Sequence, residues 1–493
     1  MAENLSGARH EQLPPIFWLI LLAGIALRVA AFDPFTAHHP DETIQYLEQA
    51  HRLVFGYGVV PWEFRYGIRS WLIPLALAGP MQLGEWLAPG GQLYLTLPRA
   101  LVVLVNLAPI AAAWFLGARS SRQHAIVAMA VAALWVECIL FSVQTLSESM
   151  AVACFLPAAV LLRADARFRS IALAGALMAL AGLLRFQFAP AIAVYALLIA
   201  GRDARLWKGL LIGGIPVLLG GAAIDLAMGM MPYEWIFNNY AQNIGAGRMR
   251  EIGGISRSTY ALDLLRYWNL AAPLILLAAL MAGKPYRALL IAAVVNLLVH
   301  QLIGHKEWRY LWLSLHIGLV LAAIGSVNLV RLTVTRGRLE RAGATAVTAG
   351  LVALWGSASL LLASSPAYSE WRNDGSASRL ASTAGRQAGV CGLAIPAPRY
   401  PEFGLAFVHR PIPVYALGTM RPPTISHPGA TEAAFNAIIA ETDRPHPRQF
   451  NQRLACGGSG ERRACLYLRP GKCVPNAESA PRKLQRVLES IDM

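Results

Sequence analysis

Apolar residues in this chain come in long unbroken blocks rather than in the alternation or three-to-four spacing of a soluble core. The first block, residues 15–32, is about the length that crosses a bilayer. Ten more follow at 97–117, 124–141, 149–163, 169–184, 187–201, 208–228, 267–283, 286–304, 309–330 and 344–363. Several are shorter than the ~20 residues a span usually takes, so neighbours should share tight turns. The stretch 71–83 is also apolar but short, and it carries Pro74 and Pro80. It reads as an in-plane or re-entrant helix of a first outer loop, 33–96. The pattern predicts an all-α polytopic membrane protein with about eleven transmembrane helices. After residue 363 the blocks stop. Residues 364–493 are polar and rich in Pro, Gly and Arg. Within them 404–417 and 464–468 read as strands, and 431–440 and 481–491 as helices. The chain therefore divides into a membrane domain, 1–363, and a small C-terminal α/β domain, 364–493.

Composition agrees. The 493 residues are 56% hydrophobic and 14% charged, with a mean hydropathy of +0.46, whereas soluble domains average about 25% charged residues. The formal charge of +15 could suggest a nucleic-acid partner until it is located. Five short connections between blocks hold fourteen Lys and Arg against three acidic residues, and so carry +11 of it. Basic short loops face the cytoplasm. The charge is a topology signal, and no nucleic-acid partner is expected. Alternation then places the N-terminus inside and the C-terminal domain outside. Residues 1–14 lack a basic n-region, so a cleaved signal peptide is not expected. Four of six cysteines, Cys391, Cys456, Cys465 and Cys473, lie in the outer domain, where one or two disulfides are expected and three full pairings are open. Their spacing does not suit a metal site. Cys138 and Cys154, inside spans, read as small apolar packers.

Polar clusters recur at the outer ends of the blocks: His38 to Glu42, Gln144 to Glu148, Arg185 with Gln187, Asn238/Asn239 with Gln242/Asn243, and His305 to Arg309. Polar groups at membrane depth are costly unless protein or water satisfies them, so five clusters on one face imply a shared cavity. Arg185, Lys306 and Arg309 suit a phosphate, with His305 as a further donor. Asp41, and behind it Glu42, suits a base that accepts a hydroxyl proton. There is no Walker motif or nucleotide loop, so a donor arriving through the lipid is expected. Pro40 should start a helix that ends at Gly56, with Ile44, Leu47, His51, Val54 and Phe55 on an apolar side and Asp41, Gln45, Glu48 and Arg52 opposite. That describes a helix lying on the membrane. Bland readings stand beside these: an acidic helix start for Asp41, an interfacial anchor for 306–309, a snorkelling chain for Arg185. Glu137 shares a face with Gln144 and Glu148 if their helix is continuous, and reads as a neutral or paired group holding helices together. Asp225 and His300 read as satisfied structural groups.

The run HPDETIQYLEQAHRLVFGYG from His39, then Pro61-Trp62-Glu63-Phe64 and Ile68-Arg69-Ser70, looks like the first luminal loop of glycosyltransferase family 22. His305-Lys306-Glu307-Trp308-Arg309-Tyr310 resembles that family's second signature. The resemblance implies a GT-C fold and a dolichyl- or polyprenyl-phosphate-mannose-dependent mannosyltransferase; the closest wording is that of the branch adding the third mannose of the glycosylphosphatidylinositol core. It places the base on Asp41 and the phosphate-side residues on His305, Lys306 and Arg309. His39, Gln45, Trp62, Glu63 and Arg69 of the matching run, with Glu148, are then expected to line the substrate site. No metal or other cofactor is implied. The expected function is transfer of mannose from a polyprenyl-phosphate donor to a lipid-linked or glycan hydroxyl, with inversion. The alanine-, leucine- and arginine-rich composition suggests a bacterial inner membrane with a periplasmic site; an ER membrane is the alternative. Two other readings stay open: transfer of another sugar, such as an aminopentose, to lipid A or cell-wall glycan, and a lipid-linked sugar transporter or flippase. A transporter should show paired broken helices or an internal repeat, and the sequence shows neither.

Overall fold

A computed structural model describes residues 13–246, 258–333, 343–371, 375–396, 404–417, 419–420, 423–424, 433–442, 446–458, 463–474 and 484–485. Each apolar block coincides with an apolar helix. Among the described residues five are long enough to cross a membrane: Leu93–Ala118, Ala204–Ala227, Lys284–Leu302, Trp308–Leu332 and Ala344–Ala363. Shorter apolar helices occupy Pro15–Ala31, Ser147–Leu161, Phe168–Leu184 and Phe186–Ala200. Close approach of helices depends on small residues here. Gly213 of Ala204–Ala227 lies against the Ala172 carbonyl of Phe168–Leu184, where any side chain would collide.

Two blocks are not straight, which corrects the expectation of unbroken helices. Arg122–Leu134 bends by 57° into the next helical segment, and Thr259–Trp268 bends by 105° into Ala271–Leu280. At the first break Trp135 is extended, and the carbonyls freed there need donors. Arg28, buried in Pro15–Ala31, supplies them: Nη1 donates to Ala133 O at 3.0 Å, and Nη2 to Ala132 O at 3.1 Å and Cys138 O at 3.0 Å. Glu137 joins the two breaks, accepting from Trp268 Nε1 at 2.7 Å and from the Tyr368 hydroxyl at 2.6 Å. It does hold helices together. The face it was to share with Gln144 and Glu148 does not form, because the helix ends at Val143 and Ser147–Leu161 starts a new one. Asp225 and His300 are only half satisfied: Asp225 Oδ2 accepts the Tyr233 amide at 2.8 Å and His300 Nδ1 meets the Asn296 carbonyl at 2.9 Å, while Asp225 Oδ1 and His300 Nε2 are buried with no partner among the described residues.

The C-terminal region packs the helix Ser376–Arg386 against a sheet. Its strands are β1 (Leu393–Pro396), β2 (Val414–Leu417), β3 (Thr419–Met420), β4 (Pro423–Thr424), β5 (Ala437–Glu441), β6 (Gln452–Gly457) and β7 (Ala464–Leu468). The main sheet runs β2-β1-β5-β7-β6, parallel on the β2-β1-β5 side and antiparallel beyond it, with β3-β4 as a separate ribbon. Two sequence expectations change. The run 404–417 is a short helix, Leu405–Val408, then β2, separated by His409 at φ 53°. Where 431–440 was expected to be helical, β5 forms, because Ala437–Glu441 is buried on both faces and pairs with β1 and β7. Of the helix expected over 481–491, only 484–485 lie among the described residues.

Disulfides join Cys391 to Cys473 and Cys456 to Cys465, while Cys138 and Cys154 are buried and free. The first closes an 82-residue separation, so its loss should cost about 2–4 kcal/mol. Alkylation of denatured, unreduced protein from native membranes should leave all four C-terminal cysteines unlabelled. Four labelled thiols would refute both bridges.

Candidate active site

The helix that begins at Pro40 is largely buried, not laid on a surface. From Pro40 the chain coils through a π-helical turn, Glu42–Leu47, into the helix Glu48–Phe55, which Gly56 ends at φ 78°. The predicted bounds hold, but the side holding Gln45 and Glu48 is as enclosed as the apolar one. Glu48 accepts the Val59 amide at 2.7 Å and the Ala406 amide at 2.8 Å, pinning the C-terminal region to this helix. Burial pushes its carboxyl up to about 7. Gly404 comes so close to Glu48 that a side chain there would displace it.

The neighbouring carboxylates Asp41 and Glu42 have different surroundings. Glu42 is fully buried and accepts the amides of His38 at 2.7 Å, His39 at 3.1 Å and Thr145 at 2.8 Å, with Arg99 Nη2 at 3.3 Å. That is the position of a strut joining two polar clusters, which corrects the placing of Glu42 as a second base. Asp41 faces the other way. Its Oδ2 takes Arg309 Nη2 at 2.7 Å and lies 3.9 Å from Arg69 Nη2, and its Oδ1 is 3.4 Å from His39 Nδ1. Burial pushes its carboxyl up, but the charges of Arg309 and His39 outweigh that and hold it well below the usual range.

Arg309 is the hub. It pairs also with Glu307 and, at 3.5 Å, with Glu148, which Arg185 reaches at 3.4 Å. Arg185 lies over the Tyr310 ring, 4.7 Å from its centre. Glu307 receives His305 Nε2 at 2.6 Å and lies 3.2 Å from His39 Nε2. Burial would raise Glu307; Arg309 and the two histidines instead hold it well below the usual carboxylate range. Gln45 donates to Glu63 at 2.7 Å. Burial, then the Asp41 charge, pushes Glu63 up to about 7. Asn238 and Asn239 brace the turn before Arg69 through the Gly67 and Ile68 carbonyls, each at 3.4 Å.

The five clusters therefore meet. A cavity of about 270 Å³ opens on the network, lined by His38, His39, Gln144, Glu307, Trp308 and Arg309 among others. Gln144 Nε2, Trp308 Nε1, Arg185 Nε and His305 Nδ1 are buried nearby with no partner among the described residues. Two expected members stand apart. Lys306 Nζ donates to the Gln301 and Ile303 carbonyls, each at 2.9 Å, so it caps the end of Lys284–Leu302. Trp62 makes an edge-on contact with Tyr66, ring centres 6.4 Å apart, and is not among the residues lining this cavity. The sequence reading missed Glu307, Tyr310 and Gln144 as site residues. All three lie within runs it singled out, but residue type did not distinguish an ion-pair partner from a cavity wall.

The Alg9-like mannosyltransferase family model matches residues 16–369, spanning the apolar helices and both signature runs. GPI mannosyltransferase 3 of Drosophila melanogaster is 39% identical over 92 residues, 18% of this chain and 16% of that protein. Mannosyltransferase APTG1 of Arabidopsis thaliana is 54% identical over 60 residues, 12% of this chain and 11% of that protein. The aligned parts are thus under a fifth of either relative's length. ArnT from Cupriavidus metallidurans, solved bound to undecaprenyl phosphate, superposes with a TM-score of 0.56, covering 94% of this chain and all of its own, at 13% identity. That likeness is one of fold alone. Since the family model covers well over half of the residues, and the site is built from the runs that carry the resemblance, this chain belongs to the Alg9-like mannosyltransferase family.

Proposed function

We propose that the protein is a membrane mannosyltransferase that moves mannose from a polyprenyl-phosphate carrier to a hydroxyl of a lipid-linked or glycan acceptor, inverting the anomeric centre in one displacement. The observation that carries this is the 2.7 Å contact between Asp41 and Arg309, the latter a lining residue of the cavity. Asp41 stays ionised and can take the acceptor proton; Arg309 and Arg185 can meet charge on the departing phosphate, so arginine cations rather than a metal serve the leaving group. Because one guanidinium touches both, the steps are coupled. As phosphate charge develops, it draws Arg309 from Asp41, and the carboxylate grows more basic as the hydroxyl attacks. Gln144, Trp308, Gln45 and Glu63 supply hydrogen bonds for sugar hydroxyls, with Arg69 and His39 orienting Asp41. That ArnT holds undecaprenyl phosphate supports a polyprenyl carrier. A transporter would aim its broken helices at a cargo in mid-membrane, whereas Arg28, Glu137, Trp268 and Tyr368 satisfy these breaks from within. Wild-type membranes given polyprenyl-phosphate-mannose and lipid extract should form a mannosylated lipid; no transfer from any polyprenyl-phosphate sugar would overturn the reading.

Topology follows the basic loops. Counting each bent helix as one crossing gives eleven, with the site and residues 364–493 outside the cytoplasm, on the periplasmic face of an inner membrane. A reporter active only in the cytoplasm, fused after Leu362, should stay silent. Strong signal would reverse the orientation.

A further inference from the structure

A second cavity, of about 390 Å³, lies where the first outer loop meets the C-terminal region. Gly90, Gly91 and Tyr94 form one side, and Ser382, Gly385, Arg386, Ala388, Val408, His409 and Arg410 the other. Two arginines are among its lining residues, and the one carboxylate bonded to the lining, Glu85, has both oxygens engaged, by the Gly90 amide at 3.1 Å and His409 Nε2 at 3.1 Å. Arg410 is fixed, because its Nη1 donates to Gly385 O at 3.2 Å and Gln387 O at 2.7 Å at the end of Ser376–Arg386. Its remaining N–H groups are free to face a ligand. Arg386, in the last turn of that helix, is exposed and has no hydrogen bond or ion pair among the described residues. The floor is rigid: the His409 ring stacks on Tyr94 at 3.9 Å, and its nitrogens reach Glu85 at 3.1 Å and His51 at 3.3 Å. A fixed and an unpaired arginine over a stacked aromatic floor suit a phosphate group.

The edge of this cup supplies the other half of the argument. The helix Leu72–Leu87 leads straight into Gly90 and Gly91, and its last turns expose Leu83, Trp86 and Leu87, with Trp86 73% accessible. An exposed tryptophan between apolar and charged surface is the arrangement found at membrane interfaces. Apolar surface beside a cationic hollow matches one class of molecule, an amphiphile with an anionic head and acyl chains.

We infer that this cup is a headgroup site for an anionic phospholipid of the outer leaflet, separate from the Asp41–Arg309 network. The phosphodiester sits between Arg386 and Arg410, and the acyl chains lie along Leu83, Trp86 and Leu87. The lipid would hold the C-terminal region against the membrane surface.

The test is native mass spectrometry of the full-length protein released from mild detergent, titrated separately with phosphatidylglycerol, phosphatidylcholine and inorganic phosphate. Wild type should bind phosphatidylglycerol about tenfold more tightly than phosphatidylcholine, and Arg386→Ala, a surface change, should remove most of that difference. Arg410→Lys keeps charge and should retain part of it, so a folding defect in any Arg410 variant does not decide the matter. Lys208→Ala, in the helix Ala204–Ala227 and not among the residues lining this cavity, should leave it intact. Equal phosphatidylglycerol binding by wild type and Arg386→Ala overturns the site. If inorganic phosphate binds as tightly as the lipid, the cup takes free phosphate and the lipid assignment fails.

Discussion

Asp41→Asn is expected to lower mannose transfer by ~10²–10⁴-fold while leaving donor affinity and the folded fraction close to wild type. Asn keeps the size of the side chain and can still accept from Arg309, so the hub stays in place. Arg309 also retains Glu307 and Glu148, and no uncompensated cation is left buried. What disappears is the proton acceptor of the proposed reaction. Glu42→Gln is the control beside it. Its carboxylate receives three backbone amides and Arg99, and an amide NH₂ would face some of those donors. That variant should lose thermal stability but little turnover per folded molecule. The assay is transfer from polyprenyl-phosphate-mannose in membranes, normalised to folded protein. Near-normal turnover by Asp41→Asn would remove it as the base, and a deeper loss per folded molecule in Glu42→Gln would move the role one residue along.

The helices were legible because a bilayer demands long apolar runs, and each run became an apolar helix. The convergence of polar clusters was legible for the same reason: charge at membrane depth must find partners. Partner identity was not. His305, Lys306 and Arg309 sit in one six-residue run, yet Lys306 turns back onto its own helix end while Arg309 reaches a residue 268 positions away. Sequence spacing carries no information about which way a side chain points after a turn. The outer loop misled for a different reason. Alternation of apolar and polar sides usually means that one side meets water, but here Glu48 meets the Ala406 amide from a distant segment. The break at Trp135 was likewise hidden, since the residues around it are apolar and its carbonyls are satisfied by Arg28 from another helix. In the C-terminal region, 431–440 had helical composition, and only pairing on both edges made β5 a central strand.

Arg309→Ala should be the most damaging single change, because it leaves Asp41, Glu148 and Glu307 buried together without the cation they share. Breaking a buried ion-pair network in this way costs about 3–5 kcal/mol, so the melting temperature in detergent should fall and donor binding should be lost with it. Lys306→Ala should weaken donor binding less, since its ammonium is spent on backbone carbonyls. The pH dependence gives a sharper signature. In wild type, Arg309 holds Asp41 and Glu307 below their unfolded values. Such groups contribute stability above the unfolded pKa and lose it as pH falls through the folded one. Without Arg309, burial raises both carboxyls, so the variant should gain stability as they protonate. The difference in melting temperature between wild type and Arg309→Ala should therefore shrink from pH 7.5 to pH 5. An unchanged difference would show that these carboxylates do not depend on Arg309. Arg309→Lys separates charge from shape: a lysine can neutralise one or two carboxylates but cannot present a fork to all three. It should recover part of the stability and little of the turnover, because the proposed coupling between Asp41 and a departing phosphate needs one flat cation touching both.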